Sequence, residues 1–229
     1  MDGNGRWAKA RRHNRVFGHI RGAKIAKNVI EECARIKIPY LTLFAFSTEN
    51  WFRPNDEVSL LMLLLRRQLL REKQTLMKNN IRFQTIGDVQ RLPASVREVV
   101  LDTLEETAKN TGMVLTFALS YGGRQELTSA VREIAKQARL GLLNENQIDE
   151  AMISEFLPSS FLPDPDLIIR TSGESRLSNF FLWQSAYSEI VFEQKAWPDF
   201  SNQDLHRILE NFSSRERRFG RTSEQLQLR

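Results

Sequence analysis

The chain contains the stretch Tyr40-Leu41-Thr42-Leu43-Phe44-Ala45-Phe46, and this run decides the fold. A short apolar run with aromatic residues, placed directly after Pro39, predicts a buried strand. The polar stretch Ser47-Thr48-Glu49-Asn50-Trp51-Phe52-Arg53-Pro54 follows at once. Open α/β sheets bind their ligands beyond the carboxyl ends of their strands. We therefore expect a ligand site to begin just after residue 46.

The alternation of apolar strands and helices continues along the chain. Further strands are predicted at residues 81–86, 113–119, 166–169 and 189–192, and helices at residues 22–36, 57–78, 94–110, 124–140, 147–157 and 203–213. This order favours an α/β fold with a central, mostly parallel sheet flanked by helices. The 229 residues contain no linker, repeat or low-complexity tract, so a single domain over residues 1–229 is expected.

A glycine-rich stretch, Asp2-Gly3-Asn4-Gly5-Arg6-Trp7, stands near the start of the chain. Glycines let a backbone bring its N–H groups close to an oxyanion, and a guanidinium offers a planar fork to phosphate oxygens. The carboxylate of Asp2 suits a divalent cation beside such a phosphate. A diphosphate with Mg²⁺ is therefore the favoured ligand, and an ordinary hairpin turn at Asn4-Gly5 is the alternative. A calcium loop is disfavoured because its twelfth position would be His13 rather than glutamate.

A second candidate anion loop follows the strand predicted at residues 166–169. It reads Arg170-Thr171-Ser172-Gly173-Glu174-Ser175-Arg176-Leu177-Ser178-Asn179, with two arginines and several hydroxyl groups. The strand at residues 113–119 likewise ends in the polar stretch Ser120-Tyr121-Gly122-Gly123-Arg124. Two separate anion-binding loops indicate two phosphorylated substrates, or one large one.

The helix predicted at residues 57–78 is apolar nearly all round in its first half. A helix of this kind is usually just buried in a core. The alternative is that it walls a cavity for a hydrocarbon chain, because apolar ligands occupy apolar pockets. The pattern alone favours simple burial.

Composition limits the classes of partner. Hydrophobic residues make up 41% and charged residues 27% of the chain, which is typical of soluble globular proteins. The longest apolar run, residues 60–65, falls far short of the roughly 20 residues of a membrane span. Cys33 is the only cysteine, which excludes an intrachain disulfide and suits a reducing cytoplasm. The net charge of +5 fits phosphorylated ligands or an anionic lipid surface. No nucleic-acid partner is expected, because a solvated face explains the arginines at residues 11–21 and 215–221 equally well.

Taken together, these motifs resemble the cis-prenyltransferase family. The resemblance is carried, in family order, by residues 1–8, 46–51 with 53–54, 121–124, 166–174, 176–183 and 217–220. It implies an α/β fold with a hydrophobic tunnel and an enzyme that uses Mg²⁺. The implied reaction adds isopentenyl diphosphate units to an allylic diphosphate, usually farnesyl diphosphate, with cis double bonds. The implied product is a long polyprenyl diphosphate such as undecaprenyl diphosphate, a lipid carrier for cell-wall synthesis.

The resemblance also implies roles for individual residues. The allylic diphosphate is expected at Gly3, Asn4, Gly5, Arg6, Trp7 and Arg15 with His19 close by, and isopentenyl diphosphate at Arg170, Arg176, Leu177 and Ser178. A loop that closes over the substrates is matched by Ser47, Thr48, Glu49, Trp51 and Arg53. The metal positions are matched by Asp2 and Glu189, and the catalytic ones by Asp2 and Asn50, the latter as a proton acceptor.

Further implications concern the tunnel, the chain ends and assembly. The helix at residues 57–78 is expected to line the tunnel, with Met113 at its floor. The family carries an apolar strand just before the position of Met1, and this sequence begins after it. A homodimer is expected, with residues 217–220 reaching the partner's active site. The enzyme is expected to be cytoplasmic, with transient contact with a membrane surface when product leaves. The alternative within the same fold is a non-catalytic subunit that binds lipid diphosphates.

Overall fold

The computed structural model describes residues 1–215, which contain five strands and seven α-helices. The strands are β1 Tyr40–Ser47, β2 Arg82–Ile86, β3 Val114–Tyr121, β4 Leu167–Arg170 and β5 Glu189–Phe192. The helices are α1 Asn4–Ala10, α2 Arg15–Arg35, α3 Asn55–Lys78, α4 Ala94–Thr107, α5 Gly123–Arg139, α6 Glu150–Phe156 and α7 Asn202–Ser213. Every strand and helix predicted from the sequence is present.

All strand pairs are parallel, which confirms the predicted α/β class. The strands are divided between two sheets, one in the order β1-β3-β2 and one formed by β4 and β5. In the larger sheet Ser47 lies opposite Tyr121, so the loops that follow β1 and β3 leave the sheet side by side. In the smaller sheet Arg170 lies opposite Phe192 at the carboxyl end.

Helix α3 shows how the apolar pattern of residues 57–78 is used. Its fully buried positions form one stripe, Val58, Met62, Leu69 and Leu76, which packs into the main hydrophobic cluster. Other leucines of the helix are only partly covered, and Leu63 is 57% exposed. The apolar half of the helix is therefore not simply enclosed by the core.

The start of the chain contains more helix than the sequence analysis predicted, because the first predicted helix began only at residue 22. Helix α1 begins at Asn4, and α2 begins at Arg15 rather than at residue 22. The side chain of Asn14 accepts a hydrogen bond from the N–H of Val16 at 3.2 Å and so caps α2. Glycines and basic residues interrupt the apolar periodicity between residues 15 and 22, so the sequence pattern did not reveal the first two turns of α2. A Cβ on Gly18 would lie 2.0 Å from the carbonyl oxygen of Asn4, so this glycine lets α1 and α2 pack closely.

The tail at residues 217–220 lies outside the described residues. Between residues 1 and 215, no helix is both long enough and apolar enough to cross a membrane.

Candidate active site

A cavity of about 1040 Å³ lies between α2, α3, β1 and β4. Its apolar wall includes Ala26 and Val29 of α2, Leu41 and Leu43 of β1, Leu61, Leu64 and Leu65 of α3, and Phe117 of β3. The apolar cavity expected from the resemblance is thus present, and α3 lines it. Met113 lies in the hydrophobic core with 5% of its surface exposed. Among residues 1–215 it does not belong to the set that lines the cavity. Its role as tunnel floor stays a prediction.

Most of the predicted site residues line one polar part of this cavity. They are Asp2, Gly3, Asn4, Gly5, Arg6, Arg15, His19, Ser47, Glu49, Asn50, Arg53, Arg170, Arg176, Leu177 and Ser178. Four predicted residues, Trp7, Thr48, Trp51 and Glu189, are not part of the lining. The fold therefore brings three stretches that are remote in sequence to one cationic surface above an apolar wall.

The two glycines of the first loop have different geometries. Gly3 has a φ of 91° in the left-handed region, and its carbonyl accepts the N–H of Trp7 at 2.8 Å. Gly5 is helical, and a Cβ there would lie 2.9 Å from Nε of Arg15. The first glycine turns the backbone, and the second lets an arginine lie against it.

Asp2 is held between the two candidate anion loops. Its N–H donates to Oγ1 of Thr171 at 3.0 Å, and its carbonyl accepts the N–H of Trp197 at 2.9 Å. Its carboxylate oxygen Oδ2 accepts Nε and Nη2 of Arg170, at 3.0 and 2.8 Å. Arg170 also donates to Oγ of Ser178 at 3.0 Å and to the carbonyl of Arg176. One guanidinium thus joins the carboxylate of the first loop to the hydroxyl of the second.

Glu174 forms a second link between the loops, and sequence reasoning gave it no role. Its Oε1 lies 2.5 Å from Nη2 of Arg6, and its Oε2 accepts Nη1 of Arg176. These hydrogen bonds, first from Arg176 and then from Arg6, hold the pKa of the Glu174 carboxyl below its usual range. The two arginine side chains remain 64% and 62% exposed. An incoming diphosphate would therefore compete with an internal carboxylate for both cations.

A third group of charges surrounds Glu57, which was also missed. Its Oε1 lies 3.1 Å from Arg53, 3.4 Å from Arg15 and 4.0 Å from Nε2 of His19. The i,i+4 spacing of Arg53 and Glu57 is the one sequence signal that could have identified this pair. Burial, followed by the charge of Arg53, lowers the pKa of His19.

Several buried polar atoms of the site have no hydrogen-bond partner among the described residues. They are Oδ1 of Asn4, Nε1 of Trp7, Nε2 of His19 and Oγ1 of Thr48. Buried polar groups are nearly always paired in folded proteins. Of these four residues, Asn4 and His19 line the cavity, and their unpaired atoms indicate where a polar ligand binds.

The lowered pKa of His19 predicts a pH effect on stability. In the unfolded chain His19 takes up a proton near its ordinary pKa of 6.5, whereas its lowered pKa keeps the ring of the folded chain neutral to lower pH. The free energy of unfolding should therefore fall as pH drops below 6.5. Urea unfolding of the wild type and His19→Gln, at about pH 7.5 and about pH 5.5, measures this contribution. Equal pH dependence of the two proteins would contradict the prediction.

The turn after β1 is closed by its own side chains. Oδ1 of Asn50 accepts the N–H of Ser47 at 3.2 Å, and the Ser47 side chain accepts the N–H of Asn50 in return. Nε1 of Trp51 donates to Oγ of Ser120 at 2.9 Å, which ties this turn to the end of β3. A neutral amide is a poor base, and this oxygen already accepts a hydrogen bond. Proton acceptance by Asn50 stays a prediction.

The donor set fits a metal that arrives with its substrate. Between residues 1 and 215, no three His, Cys, Asp or Glu side chains are grouped closely enough to hold a metal ion. Mg²⁺ commonly takes one or two carboxylates and completes its coordination with substrate phosphates and water. The Asp2 side chain, 43% exposed on the cavity surface, suits that role.

Glu189 lies at the opposite end of the smaller sheet. It pairs with Leu167, whereas Arg170, the partner of Asp2, ends β4 roughly 10 Å further along the strand. The Glu189 carboxylate forms an ion pair with Arg215. Its role as a metal ligand stays a prediction.

A cationic surface above an apolar cavity has the shape and charge that suit anionic head groups attached to hydrocarbon chains. The sequence matches a prenyltransferase family model, described as undecaprenyl diphosphate synthase, over residues 1–220. The chain belongs to this family of prenyl-chain-elongating transferases.

Individual relatives support the assignment. An isoprenyl transferase of Chlorobaculum tepidum is 50% identical over 226 residues, which are 99% of this chain and 85% of the relative. A ditrans,polycis-undecaprenyl-diphosphate synthase of Vibrio vulnificus, described as specific for (2E,6E)-farnesyl diphosphate, is 47% identical over 99% of this chain and 90% of its own. The crystal structure of lavandulyl diphosphate synthase from Lavandula x intermedia, in complex with dimethylallyl diphosphate, superposes with a TM-score of 0.94 at 36% identity, covering 96% of this chain and 95% of that one. The predicted family, fold class and enzyme class are confirmed.

Proposed function

We propose that this protein adds isopentenyl diphosphate units, with cis double bonds, to an allylic diphosphate, farnesyl diphosphate being the expected primer. The proposal rests on one observation above all. Two arginine-bearing loops meet at the polar part of a cavity whose wall is apolar. Two diphosphates and one growing hydrocarbon chain match that arrangement. The expected product is a long polyprenyl diphosphate such as undecaprenyl diphosphate, for use as a cell-wall lipid carrier.

In this proposal each loop binds one substrate. The allylic diphosphate binds the stretch Gly3–Arg6 with Arg15, next to the neutral ring of His19. Isopentenyl diphosphate binds Arg170, Arg176 and Ser178. The supporting contact is that Arg170 reaches both Asp2 and Ser178, so the two substrates would lie against a shared guanidinium.

The chemistry expected of these side chains is binding, orientation and exclusion of water. Guanidinium groups stabilise the negative charge that grows on the diphosphate as its bond to the allylic carbon breaks. The double bond of isopentenyl diphosphate then attacks that carbon, and a proton is lost. The apolar wall keeps water away from the electron-poor carbon. A bound Mg²⁺, held by Asp2 and the substrate, would supply further stabilisation of the leaving group.

Direct measurement of product tests the proposal. The protein is incubated with farnesyl diphosphate, labelled isopentenyl diphosphate and Mg²⁺, and the lipid products are sized by chromatography. Labelled polyprenyl products with cis double bonds support it. Tight binding of the allylic diphosphate without any product would favour the non-catalytic lipid-diphosphate-binding subunit instead.

The cavity wall yields a prediction about product length. Ala26→Phe places a bulky ring in a cavity that its alanine now lines, so chains should stop at least one isoprene unit shorter. The matched control is Ala108→Phe at the exposed position directly after α4. Product sizing at equal substrate conversion checks the result. An unchanged length distribution for Ala26→Phe would place the growing chain elsewhere.

Assembly and location complete the proposal. We propose a single catalytic domain that works in the cytoplasm as a homodimer and contacts a membrane surface when product leaves. In this view residues 217–220 reach the partner's site. Sedimentation equilibrium of the full chain measures the oligomeric state, and flotation with vesicles measures membrane contact.

A further inference from the structure

Three loops cross at Gly122, between the end of β3 and the start of α5. A Cβ on this residue would lie 2.3 Å from Oε1 of Gln125, 2.6 Å from Nδ2 of Asn179 and 2.8 Å from Oγ1 of Thr48. All three distances are shorter than van der Waals contact allows. The glycine therefore leaves room for the turn after β1, the turn after β3 and the segment after Ser178 to meet at one point.

Asn179 is the residue that connects these loops by hydrogen bonds. Its carbonyl accepts the N–H of Gly123 at 2.7 Å, and its Oδ1 accepts the N–H of Arg124 at 2.8 Å. Its Nδ2 donates to Oε1 of Glu49 at 2.9 Å and to Oε1 of Gln125 at 3.1 Å. Both amide hydrogens and the amide oxygen are thus engaged with protein groups. Asn179 itself lines the cavity, but both of its amide hydrogens are donated to protein groups, so its hydrogen bonds serve to hold its neighbours.

The backbone at this point is also unusual. Ser178 and Asn179 have φ angles of 48° and 63°, in the left-handed region that most side chains avoid. Asparagine tolerates this region better than most residues. The conformation turns the Ser178 hydroxyl toward Nη1 of Arg170, at 3.0 Å. Asn179 thus holds the backbone of the second candidate anion loop, residues 170–179, in place.

Glu49, the other partner, belongs to the turn expected to close over the substrates. Burial raises the pKa of its carboxyl, but hydrogen bonds, first of all the one from Asn179, outweigh this and leave the pKa below its usual value. Glu49 and Ser178 both line the cavity. They are therefore two site residues on different loops that share one asparagine.

We propose that Asn179 is a positioning residue that fixes the turn carrying Glu49 against the loop carrying Ser178. This inference rests on the proposed function. Reacting groups must be aligned closely for the transfer step, and binding alone is less demanding. Loss of the hydrogen bond between Asn179 and Glu49 should accordingly lower kcat more than it raises the KM for either substrate. No sequence motif pairs Asn179 with Glu49, which stand 130 residues apart.

Asn179→Asp is the sharpest test. It keeps an oxygen to accept the N–H of Arg124, removes the donor to Glu49 and places a second carboxylate beside it. We expect kcat to fall at least about tenfold, with each KM changed by less than about threefold. The matched control is Asn110→Asp, which loses an amide donor to the carbonyl of Ile81 at 2.7 Å, away from the cavity. It should retain the wild-type kcat per folded molecule.

A double variant separates positioning from direct binding. With Glu49→Gln added, the new amide can donate to the carboxylate introduced by Asn179→Asp, so the double variant should be no slower than Asn179→Asp alone. The proposal would be overturned if the kcat loss of the double variant equalled the product of the losses of the two single variants. It would also be overturned if Asn179→Asp changed only KM. The wild type is assayed in parallel. Absence of product from the wild type would reject the proposed function, whereas an active wild type with multiplying losses rejects only the role of Asn179.

Discussion

Asp2→Ala is expected to slow prenyl transfer at least about a hundredfold, because losing one group that stabilises charge in an active site costs roughly 3–4 kcal/mol in the barrier. The carboxylate lines the cavity and accepts two N–H groups of Arg170. Only the side chain is removed, so the backbone contacts of Asp2 with Thr171 and Trp197 remain. The melting temperature should therefore change little.

Two further variants show whether the charge of Asp2 is what matters. Asp2→Asn keeps the shape of the side chain and one acceptor, and it should be nearly as slow as Asp2→Ala if the negative charge is required. Asp199→Ala removes a carboxylate from a comparable ion pair, 3.0 Å from Arg11, that does not line the cavity. It should retain normal turnover. Near-normal turnover of Asp2→Ala at saturating Mg²⁺ would make Asp2 a turn residue only.

The parts of the structure that follow local patterns could be predicted from the sequence. The apolar run at residues 40–46 became β1, and Ser47, Glu49, Asn50 and Arg53 of the stretch after it line the cavity as expected. The apolar periodicity of strands and helices involves residues only a few positions apart, so it can be recognised in a single sequence. The apolar pattern of α3 could be recognised too, but it did not show whether the helix is buried in the core or lines a cavity. That distinction depends on what packs opposite Leu61 and Leu65.

Contacts between distant residues could not be predicted in this way. Arg170 meets Asp2 across 168 residues, and no composition or spacing rule encodes that distance. Glu174 read as one more polar residue of an anion loop, although its charge has the same sign as the ligand. Its position between Arg6 and Arg176 emerges only when both loops are folded. Apart from the metal-binding role of Asp2 and the phosphate-binding role of Arg6, which residue chemistry suggested, the roles of single residues came from the family resemblance.

Arg170→Ala is expected to weaken isopentenyl diphosphate binding roughly 10- to 100-fold, since a hydrogen bond to a charged group contributes about 1.5–3 kcal/mol. Its side chain is 13% exposed and contacts Asp2 and Ser178. Arg176 is 62% exposed and has Glu174 as its acidic partner. Arg176→Ala should therefore weaken the same substrate by a smaller factor. Both substitutions should affect isopentenyl diphosphate more than the allylic diphosphate.

Calorimetry without turnover can separate the two substrates. Isopentenyl diphosphate is titrated alone, and an unreactive thiolo analogue of farnesyl diphosphate reports on the allylic site. Arg170→Lys keeps the charge but loses the planar fork that reaches Asp2 and Ser178 together, so its affinity should fall between those of the wild type and Arg170→Ala. Arg139→Ala, at the exposed end of α5, is the control for loss of a surface cation. Equal losses for both ligands in Arg170→Ala would mean that the two loops form one diphosphate site, because the guanidinium that joins them would then serve either substrate alike.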